Sequence, residues 1–262
     1  MADLSNKLKK QLQQAVSRHG RQKSGLFLCE GVRCCREALT HSPQAIEAVV
    51  VSDTFQTTAE YDGTRKLCNA KGLQVNDLAE EEFSKVAATE NPQGVACLCQ
   101  RDRLASESLI HQQPFVLVLD GISEPGNLGT ILRTAWAVGV EEVWYTKGST
   151  DPFGPKAIRS GMGAQFALVI ACCDGLDAVK NSLKNSKIKR IWRSAPESGV
   201  SCYSDDFKLD KSALIIGGEA HGAAPLEEAE DVFIPMPGSA ESLNVGQAAT
   251  ILLFEGVRRG LL

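Results

Sequence analysis

The chain has 262 residues, and 43% of them are hydrophobic, which is enough apolar material for a sizeable core and excludes overall disorder. Its formal net charge of −4, from 28 basic and 32 acidic side chains, gives no global basis for nucleic-acid binding. No apolar run is long enough to span a bilayer, and the N-terminus has no apolar signal-peptide core. We therefore expect a cytoplasmic protein, with an organelle as the alternative.

Nine cysteines are spread along the chain, including the vicinal pairs Cys34-Cys35 and Cys172-Cys173. Their number is odd, and they lack the spacing of a disulfide framework. There is no Cys-x-x-Cys motif, and the four histidines are scattered. We expect buried, reduced thiols and no metal site.

Basic residues are concentrated in two segments. Asp3 is the sole acid of residues 1–25, and residues 184–193 contain no acid at all. Such runs are ordinarily solvated helix faces, but they also permit local contacts with phosphate groups. The basic residues are Lys7, Lys9, Lys10, Arg18, Arg21 and Lys23 in the first segment and Lys184, Lys187, Lys189, Arg190 and Arg193 in the second.

The first part of the chain alternates short apolar runs with helical patterns. "LFLCEGV" (26–32), "AIEAVVVS" (45–52) and "GVACLCQ" (94–100) predict strands, and "RCCREALTH" and "DGTRKLCNAKG" predict helices. This pattern indicates a small α/β domain over residues 1–104. Residues 105–114 are polar and end at Pro114, which is typical of a linker.

Residues 115–262 alternate more clearly. "PFVLVLDGI" is a continuous apolar run that suits a strand covered on both faces, and "NLGTILRTAWAVG" has helical spacing and ends at Gly139. The alternation predicts a mostly parallel sheet of five or six strands with helices on both faces. The remaining predicted strands are "VEEVWYT", "QFALVIAC", "KRIWRSA", "SALIIGG" and "DVFIPMP", and the remaining predicted helices are a short one in "DPFGPKAIRSGMGA", "LDAVKNSLKNS" and residues 245–259.

Three ends of predicted strands are polar or rich in glycine, and ligands of parallel α/β sheets bind at such ends. They are residues 119–135, 214–222 and 238–257. Each also has an ordinary structural explanation: an asparagine N-cap, a glycine turn and a helix start. The candidate residues are Asn127 and Arg133 in the first segment, Gly217, Gly218 and Glu219 in the second, and Ser242, Leu243 and Asn244 in the third.

Several common catalytic motifs are missing from the sequence. It contains no P-loop, no complete dinucleotide-binding fingerprint and no serine in a nucleophile elbow, and no histidine stands beside a candidate nucleophile. Nucleotide hydrolysis, hydride transfer and triad hydrolysis are therefore weakly supported.

Taken together, "PGNLGTILRTAWAVG", "IIGGEAHG" and "IPMPGSAESLNVGQAATILLFE" resemble, in the same order, the three motifs of the SpoU (TrmH-like) RNA ribose 2′-O-methyltransferases of the SPOUT superfamily. "DPFGPKAIRSGMGA" resembles the region between those motifs. "GLFLCEGVRCCREAL" and "NPQGVACL" resemble the N-terminal RNA substrate-binding domain of that family. The resemblance covers nearly the whole chain.

This resemblance implies a catalytic domain, residues 115–262, with a deep trefoil-type knot formed at its C-terminus. It also implies a homodimer with sites near the interface, and S-adenosyl-L-methionine bound by backbone groups of the knot. On the matching positions, the cofactor would contact Gly217, Ile234 and Leu243, with Gly218, Met236 and Asn244 adjacent. No metal is implied.

Arg133 matches the family's motif-one arginine, to which activation of the target ribose is assigned. Because a guanidinium hardly loses its proton, we expect Arg133 to position the ribose and a phosphate and to stabilise the developing alkoxide. The resemblance leaves other roles open. Asn127 would orient Arg133 or the RNA backbone, and Glu219 would anchor its loop, bond Asn127 or Arg133, or be structural. Ser242 and Asn244 would cap the last helix, hold the ribose, or do both.

Two further residues have expected roles. Arg159 would touch a substrate phosphate or form a dimer contact, and His221 is expected to be a loop residue without a catalytic role.

The sequence therefore predicts an S-adenosyl-L-methionine-dependent RNA ribose 2′-O-methyltransferase, with rRNA favoured over tRNA. The alternatives are a catalytically inactive RNA-binding or ribosome-assembly factor with the same fold, and a nucleotide- or metabolite-binding α/β enzyme unrelated to RNA.

Overall fold

The computed structural model describes residues 4–106, 114–184, 186–219 and 222–260. The chain divides into two compact units. The first unit comprises Met1–Ala105 and Pro152–Ala167, and the second comprises Ser106–Asp151 and Leu168–Leu262. Most of the predicted linker, and His221, lie outside the described residues.

The helices and strands follow in chain order. Up to the start of the second unit they are α1 (Asn6–Val16), α2 (Arg18–Ser24), β1 (Leu26–Glu30), α3 (Val32–His41), β2 (Ile46–Ser52), α4 (Glu60–Ala70), β3 (Val75–Leu78), α5 (Glu80–Val86), β4 (Val95–Gln100) and β5 (Ala105–Ser106). The later ones are β6 (Phe115–Asp120), α6 (Pro125–Ala137), β7 (Glu142–Thr146), α7 (Pro155–Gly161), β8 (Val169–Cys173), α8 (Leu176–Leu183), β9 (Arg190–Ser194), β10 (Val200–Ser201), β11 (Ser212–Gly217), β12 (Ala229–Phe233) and α9 (Val245–Arg258).

The first unit is built on a four-stranded sheet in the order β1-β4-β2-β3. Strand β4 is antiparallel to β1 and β2, and β2 is parallel to β3. On one face, alternate strand residues such as Leu28, Val50 and Leu98 pack against apolar side chains of α1 and α5. This arrangement follows from the period of two residues that sends successive strand side chains to opposite faces.

Residues Pro152–Ala167 belong to the first unit although they are distant from it in sequence. Phe27 of β1 packs against Phe153 and Phe166, with ring centroids 5.1 Å and 5.9 Å apart. The Ser42 hydroxyl donates a hydrogen bond of 2.8 Å to the Phe166 carbonyl oxygen. Buried aromatic contacts of this kind fix the segment, including α7, to the first unit.

The basic N-terminal segment folds as two short helices. Ser5 and Ser17 cap α1 and α2 through their side chains. Arg21 is buried and donates a hydrogen bond of 2.7 Å to the Val16 carbonyl, and Lys9 pairs with Glu82 at 3.1 Å. Part of the basic charge of this segment is therefore used inside the unit.

The second unit contains an eight-stranded sheet in the order β10-β12-β9-β11-β6-β7-β8-β5. Strand pairs from β10 to β8 are all parallel. Apolar side chains of α8 cover one face, and α9 packs on α6 and contacts β11. The predicted mostly parallel α/β sheet is therefore confirmed.

The strand order determines which loops meet. Strand β11 lies between β9 and β6, whereas β12, which follows β11 in the chain, lies on the far side of β9. Because neighbouring strands are parallel, the carboxyl ends of β6, β9, β11 and β12 lie at one edge of the sheet. The segments that follow these strands meet there.

All nine cysteines are described, and all are free thiols, with only Cys172 exposed. Among the described residues there is no cluster of three or more His, Cys, Asp or Glu side chains suited to a metal ion. In the same part of the chain, every helix is too short or too polar to cross a membrane.

Candidate active site

A cleft of about 370 Å³, which we call the cofactor cleft, opens at the carboxyl edge of the second sheet. Its volume lies within the range of small-molecule sites. The second and third motif segments line it together with the end of β9, and the first motif segment lies outside its lining. Its lining residues are Ser194, Ala195, Pro196, Ile216, Gly217, Gly218, Glu219, Gly222, Val232, Ile234, Met236, Ser242, Leu243, Asn244, Val245, Ala248 and Leu252.

The end of β11 requires glycine at two positions. A Cβ atom on Gly217 would lie 1.7 Å from the Ala223 nitrogen, and one on Gly218 would lie 2.2 Å from the Gly121 carbonyl oxygen. Both distances are too short for a real Cβ atom. Only glycine therefore allows the main chain to approach its neighbours this closely at the two positions. These glycines leave main-chain groups at the cleft surface, where they can recognise a ligand.

Asp120, at the end of β6, holds the loop that follows β11. One carboxylate oxygen accepts a hydrogen bond of 2.9 Å from the Ala224 amide, and the other accepts one of 2.8 Å from the Thr146 hydroxyl. Sequence reasoning did not single out Asp120. The sequence feature that could have identified it is its position as the polar residue that ends a buried strand.

Three of the proposed catalytic residues form one hydrogen-bonded network. The Asn127 amide donates to a Glu219 carboxylate oxygen at 2.5 Å, and its own carbonyl oxygen accepts from the Asn244 amide at 3.1 Å. The Ser123 hydroxyl donates to the second Glu219 oxygen at 3.2 Å. We call Ser123, Asn127, Glu219 and Asn244 the amide–carboxylate network.

This network sets the charge of Glu219. Desolvation raises the pKa of the Glu219 carboxyl, but hydrogen bonds from Asn127 and Ser123 outweigh it, and the pKa falls below its ordinary value. Hydrogen bonds to a carboxylate favour its charged form. Glu219 is therefore ionised at neutral pH, and it holds the strand end of β11 against the start of α6.

Asn244 has two functions in the structure. Its side-chain oxygen accepts a hydrogen bond of 2.9 Å from the Gly246 amide and so caps α9, while its amide donates to Asn127. Ser242 is exposed and lines the cleft, and its hydroxyl has no partner among the described residues. Of the two residues expected to cap this helix, Asn244 does so.

Arg133 lies on α6 but does not line the cofactor cleft. Its side chain is exposed and makes no hydrogen bond or ion pair with the described residues. Neither Asn127 nor Glu219 bonds it, since both are used within the amide–carboxylate network. The guanidinium is free to act on a group from outside its own chain.

The cleft walls suit a cofactor with an apolar part and a polar edge. Ile234, Met236 and Leu243 are half-buried and supply apolar walls beside the main chain of Gly217 and Gly218. All five expected cofactor-binding residues therefore line one cavity. The sequence patterns did not identify Ser194, Ala195 and Pro196 as site residues. They follow a predicted strand, and the carboxyl ends of parallel strands lie at the same edge of the sheet.

The basic segment 184–193 is partly used within the protein. Arg193 forms a bidentate pair with Asp231 at 2.7 Å and 2.8 Å, and Arg190 pairs with Glu230 at 3.1 Å. Hydrogen bonding to Asp231 raises the pKa of Arg193. The Lys184 ammonium donates a hydrogen bond to the Asn181 side-chain oxygen at 2.9 Å, so three of the five basic side chains are partnered, while Lys187 and Lys189 are exposed.

Residues 114–254 match the SpoU rRNA Methylase family, and residues 6–97 match the MRM3-like substrate binding domain. The chain is 34% identical over 237 residues to the 23S rRNA (guanosine(2553)-2′-O)-methyltransferase RlmP of Bacillus subtilis (strain 168), with 89% of each chain covered. It is 28% identical over 299 residues to the mitochondrial rRNA methyltransferase 3 of Mus musculus, which covers 93% of this chain and 70% of that protein.

A solved structure agrees with these matches. The AdoMet-bound rRNA methyltransferase from Sinorhizobium meliloti is similar with a TM-score of 0.81 and 27% sequence identity, and the match covers 100% of this chain and 98% of that one. The SpoU match spans more than half of the 262 residues. The chain belongs to the SpoU rRNA methylase family.

Proposed function

We propose that the protein is an S-adenosyl-L-methionine-dependent RNA methyltransferase that methylates a ribose 2′-hydroxyl of rRNA. The observation that carries this proposal is the cofactor cleft, which is lined by the second and third motif segments of a SpoU family member and is joined to the first by the hydrogen bonds of Asn127. The AdoMet-bound relative from Sinorhizobium meliloti supports the choice of cofactor.

The cofactor supplies an electrophilic methyl group carried by a sulfonium. Around it, Gly217 and Gly218 offer main-chain hydrogen-bonding groups, and Ile234, Met236 and Leu243 exclude water. The apolar walls suit an adenosine, and the nearby ionised Glu219 suits a cationic ligand.

In the reaction, a bond from the hydroxyl oxygen to the methyl group would replace the bond from sulfur, and the proton of the target hydroxyl would pass to water. Arg133 is assigned to hold the ribose and a neighbouring phosphate and to stabilise the negative charge that develops on that oxygen. Its exposed guanidinium, without a partner among the described residues, supports this role. Ser242 is assigned to the ribose at the rim of the cleft, where its hydroxyl is exposed.

Asn127, Glu219 and Asn244 are assigned as positioning residues. Their hydrogen bonds join the start of α6, the end of β11 and the start of α9. These hydrogen bonds fix the position of the cleft relative to α6, the helix that bears Arg133. Alignment of the reacting groups is a large part of catalysis by in-line transfer.

The same proposal includes a homodimer. Helix α9 exposes Phe254 and Val257, which are 49% and 40% exposed and lie three residues apart on one face. A second copy covering this face would remove both side chains from water. Sedimentation should show a dimer that Phe254→Asp with Val257→Asp converts to a monomer, and a monomeric native protein would contradict it.

A knotted chain path is proposed as well. The return of the chain from β11 across β9 to β12, followed by the packing of α9 on α6, supports such a path. Mechanical extension from both termini should stop short of the full contour length if the knot is present.

Ribosomal RNA is the proposed substrate because relatives from Bacillus subtilis and Mus musculus are named rRNA methyltransferases. Transfer RNA is the alternative. The proposed location is the cytoplasm or, as for the mouse relative, an organelle that contains ribosomes.

One assay tests the function. The protein is incubated with S-adenosyl-L-methionine carrying a labelled methyl group and with separate pools of deproteinised rRNA and tRNA, and the RNA is then digested to nucleosides. Label is expected in a 2′-O-methylnucleoside from rRNA. Tight RNA binding without label would instead favour an inactive assembly factor, and neither label nor binding would favour an enzyme of small metabolites.

A further inference from the structure

A second cleft lies wholly within the first unit, and we call it the arginine cleft. Its volume is about 690 Å³, which is ample for a nucleotide. It is formed by the end of β1 and the start of α3, by residues 88–93, and by α7 with Met162. Arg33 and Arg159 line it from two different segments.

The walls of the arginine cleft are tied together by two side chains. Glu30 accepts a hydrogen bond of 2.7 Å from the Ala88 amide and another from the Thr89 hydroxyl. Gln93 accepts one of 3.0 Å from the Val32 amide. The cleft is therefore held open by contacts within the unit and does not depend on a ligand for its shape.

Both arginine side chains in this cleft lack a partner. Arg33 and Arg159 are exposed, and neither guanidinium makes a hydrogen bond or ion pair with any residue that the structure describes. Other arginines of the same unit are used internally, such as Arg103, which pairs with Glu47 at 2.7 Å. Two free guanidinium groups on one concave surface are a feature that phosphate groups bind strongly.

The rest of the lining suits a nucleotide better than a bare anion. Thr89 and Asn91 add a hydroxyl and an amide, which can hydrogen-bond a base or a ribose hydroxyl. Of the two acids in the lining, Glu30 already accepts hydrogen bonds at both oxygens, and Glu90 is exposed. A small multiply charged anion would leave most of the cavity unfilled.

We propose that the arginine cleft binds the phosphodiester backbone of the substrate RNA at an unpaired nucleotide, with Arg33 and Arg159 as phosphate ligands. This inference rests on the proposed function, since it names where the same substrate is held outside the cofactor cleft. Phosphate contacts position an RNA without reading its sequence. The cleft thus supplies affinity and register, and it takes no part in methyl transfer.

The test compares single substitutions in methyl transfer to deproteinised rRNA and in filter binding of the same RNA. Arg33→Ala and Arg159→Ala are each expected to raise KM for RNA about tenfold, the effect of losing one charge-assisted hydrogen bond. The kcat and the affinity for S-adenosyl-L-methionine should stay unchanged. Each variant should also lower the dependence of log Kd on log salt concentration by about 0.7, the contribution of one phosphate contact on a single strand.

Arg65→Ala is the matched control. Arg65 is an exposed arginine of the same unit, has no partner among the described residues, and lies outside the arginine cleft. The Arg65→Ala variant loses the same charge as the two cleft variants. An equal rise of its KM would therefore overturn the proposal in favour of a general charge effect. Glu90→Gln, which removes an acid from the lining, should change KM in the opposite direction.

Two further outcomes count against the cleft. Unchanged KM and salt dependence in both arginine variants would overturn it, as would displacement of RNA by inorganic phosphate as effective as displacement by uridine monophosphate at equal phosphate concentration. Failure of the proposed function is distinguishable, because the native protein would then transfer no methyl group. Filter binding alone would in that case still test whether the arginine cleft binds RNA.

Discussion

Beside the cofactor cleft, Asn127, Glu219 and Asn244 satisfy one another through hydrogen bonds, whereas in the arginine cleft Arg33 and Arg159 have no partner among the described residues. Polar groups that are bonded to one another hold segments of chain together, and their loss leaves a partner unsatisfied. The protein loses little stability when a charged group without a partner is removed. The contrast separates side chains that maintain the shape of a site from side chains that meet the substrate.

Arg133→Ala gives the largest expected effect and tests this contrast within the second unit. Its removal should lower kcat by about a thousandfold, the loss typical of a group that stabilises developing charge. Because Arg133 has no partner among the described residues, the folded structure should not depend on it. The midpoint of unfolding and the calorimetric affinity for S-adenosyl-L-methionine should not change.

Lys187→Ala, which removes an exposed cation elsewhere in the second unit, should match the native protein in all three measurements. A loss of cofactor affinity in Arg133→Ala would contradict the proposed role and place the guanidinium in the cofactor site.

Asn127→Ala should affect both activity and stability, because Asn127 has partners on two other segments. We expect kcat to fall about a hundredfold through misalignment of the site. The free energy of unfolding should fall by about 1–2 kcal/mol, because Glu219 and Asn244 each lose a hydrogen bond.

Methyl transfer and urea denaturation measure the two effects. Thr130→Ala is the control and should change neither strongly, because among the described residues the Thr130 hydroxyl bonds only the Gly126 carbonyl of the same helix. Loss of activity without loss of stability in Asn127→Ala would mean that its hydrogen bonds hold nothing together.

Glu255→Gln has the smallest expected effect on activity and concerns a partnered side chain outside the candidate active site. Glu255 is 6% exposed and accepts hydrogen bonds from Arg258 and, at 2.6 Å, from Arg259. Hydrogen bonds from Arg258 lower the pKa of Glu255 to about 2 against the cost of desolvation, with Arg259 adding to the effect. Removing the charge should cost about 2 kcal/mol of unfolding free energy at neutral pH, the range for hydrogen bonds to charged groups, and leave kcat unchanged.

The pH dependence of this contribution has a definite sign. Since the pKa of Glu255 is lower in the folded protein than in the unfolded chain, its stabilisation is complete above about pH 4.5 and is lost as the pH falls towards 2. Native and Glu255→Gln stabilities should therefore converge over that interval. Glu241→Gln, at an exposed position, should follow the native curve, and a constant gap for Glu255→Gln would refute the assignment.

The second unit was largely predictable from sequence because its strands are continuous apolar runs with helical patterns between them. Strands such as Phe115–Asp120 and Ser212–Gly217 fall where those runs predicted them. The five expected cofactor-binding residues also line one cavity, since the carboxyl ends of parallel strands share an edge.

Other features depend on contacts between distant parts of the chain. Strand Val75–Leu78 and helix Glu80–Val86 are short, and their local patterns are too weak to predict them. Sequence also cannot tell a basic side chain that is free from one that is partnered. Arg193 and Lys9 find acids 38 and 73 residues away, so the charge available to RNA is smaller than the charge counted.

The packing of Phe27 against Phe153 and Phe166 has a consequence for protein synthesis. A ribosome making this chain must translate β6, α6 and β7 before the residues that complete the first unit emerge. Until then the Phe27 side of the nascent sheet lacks its aromatic cover and stays exposed to water. A fragment ending before Pro152 would keep that defect permanently, so an isolated first unit would need residues Pro152–Ala167 joined back to it.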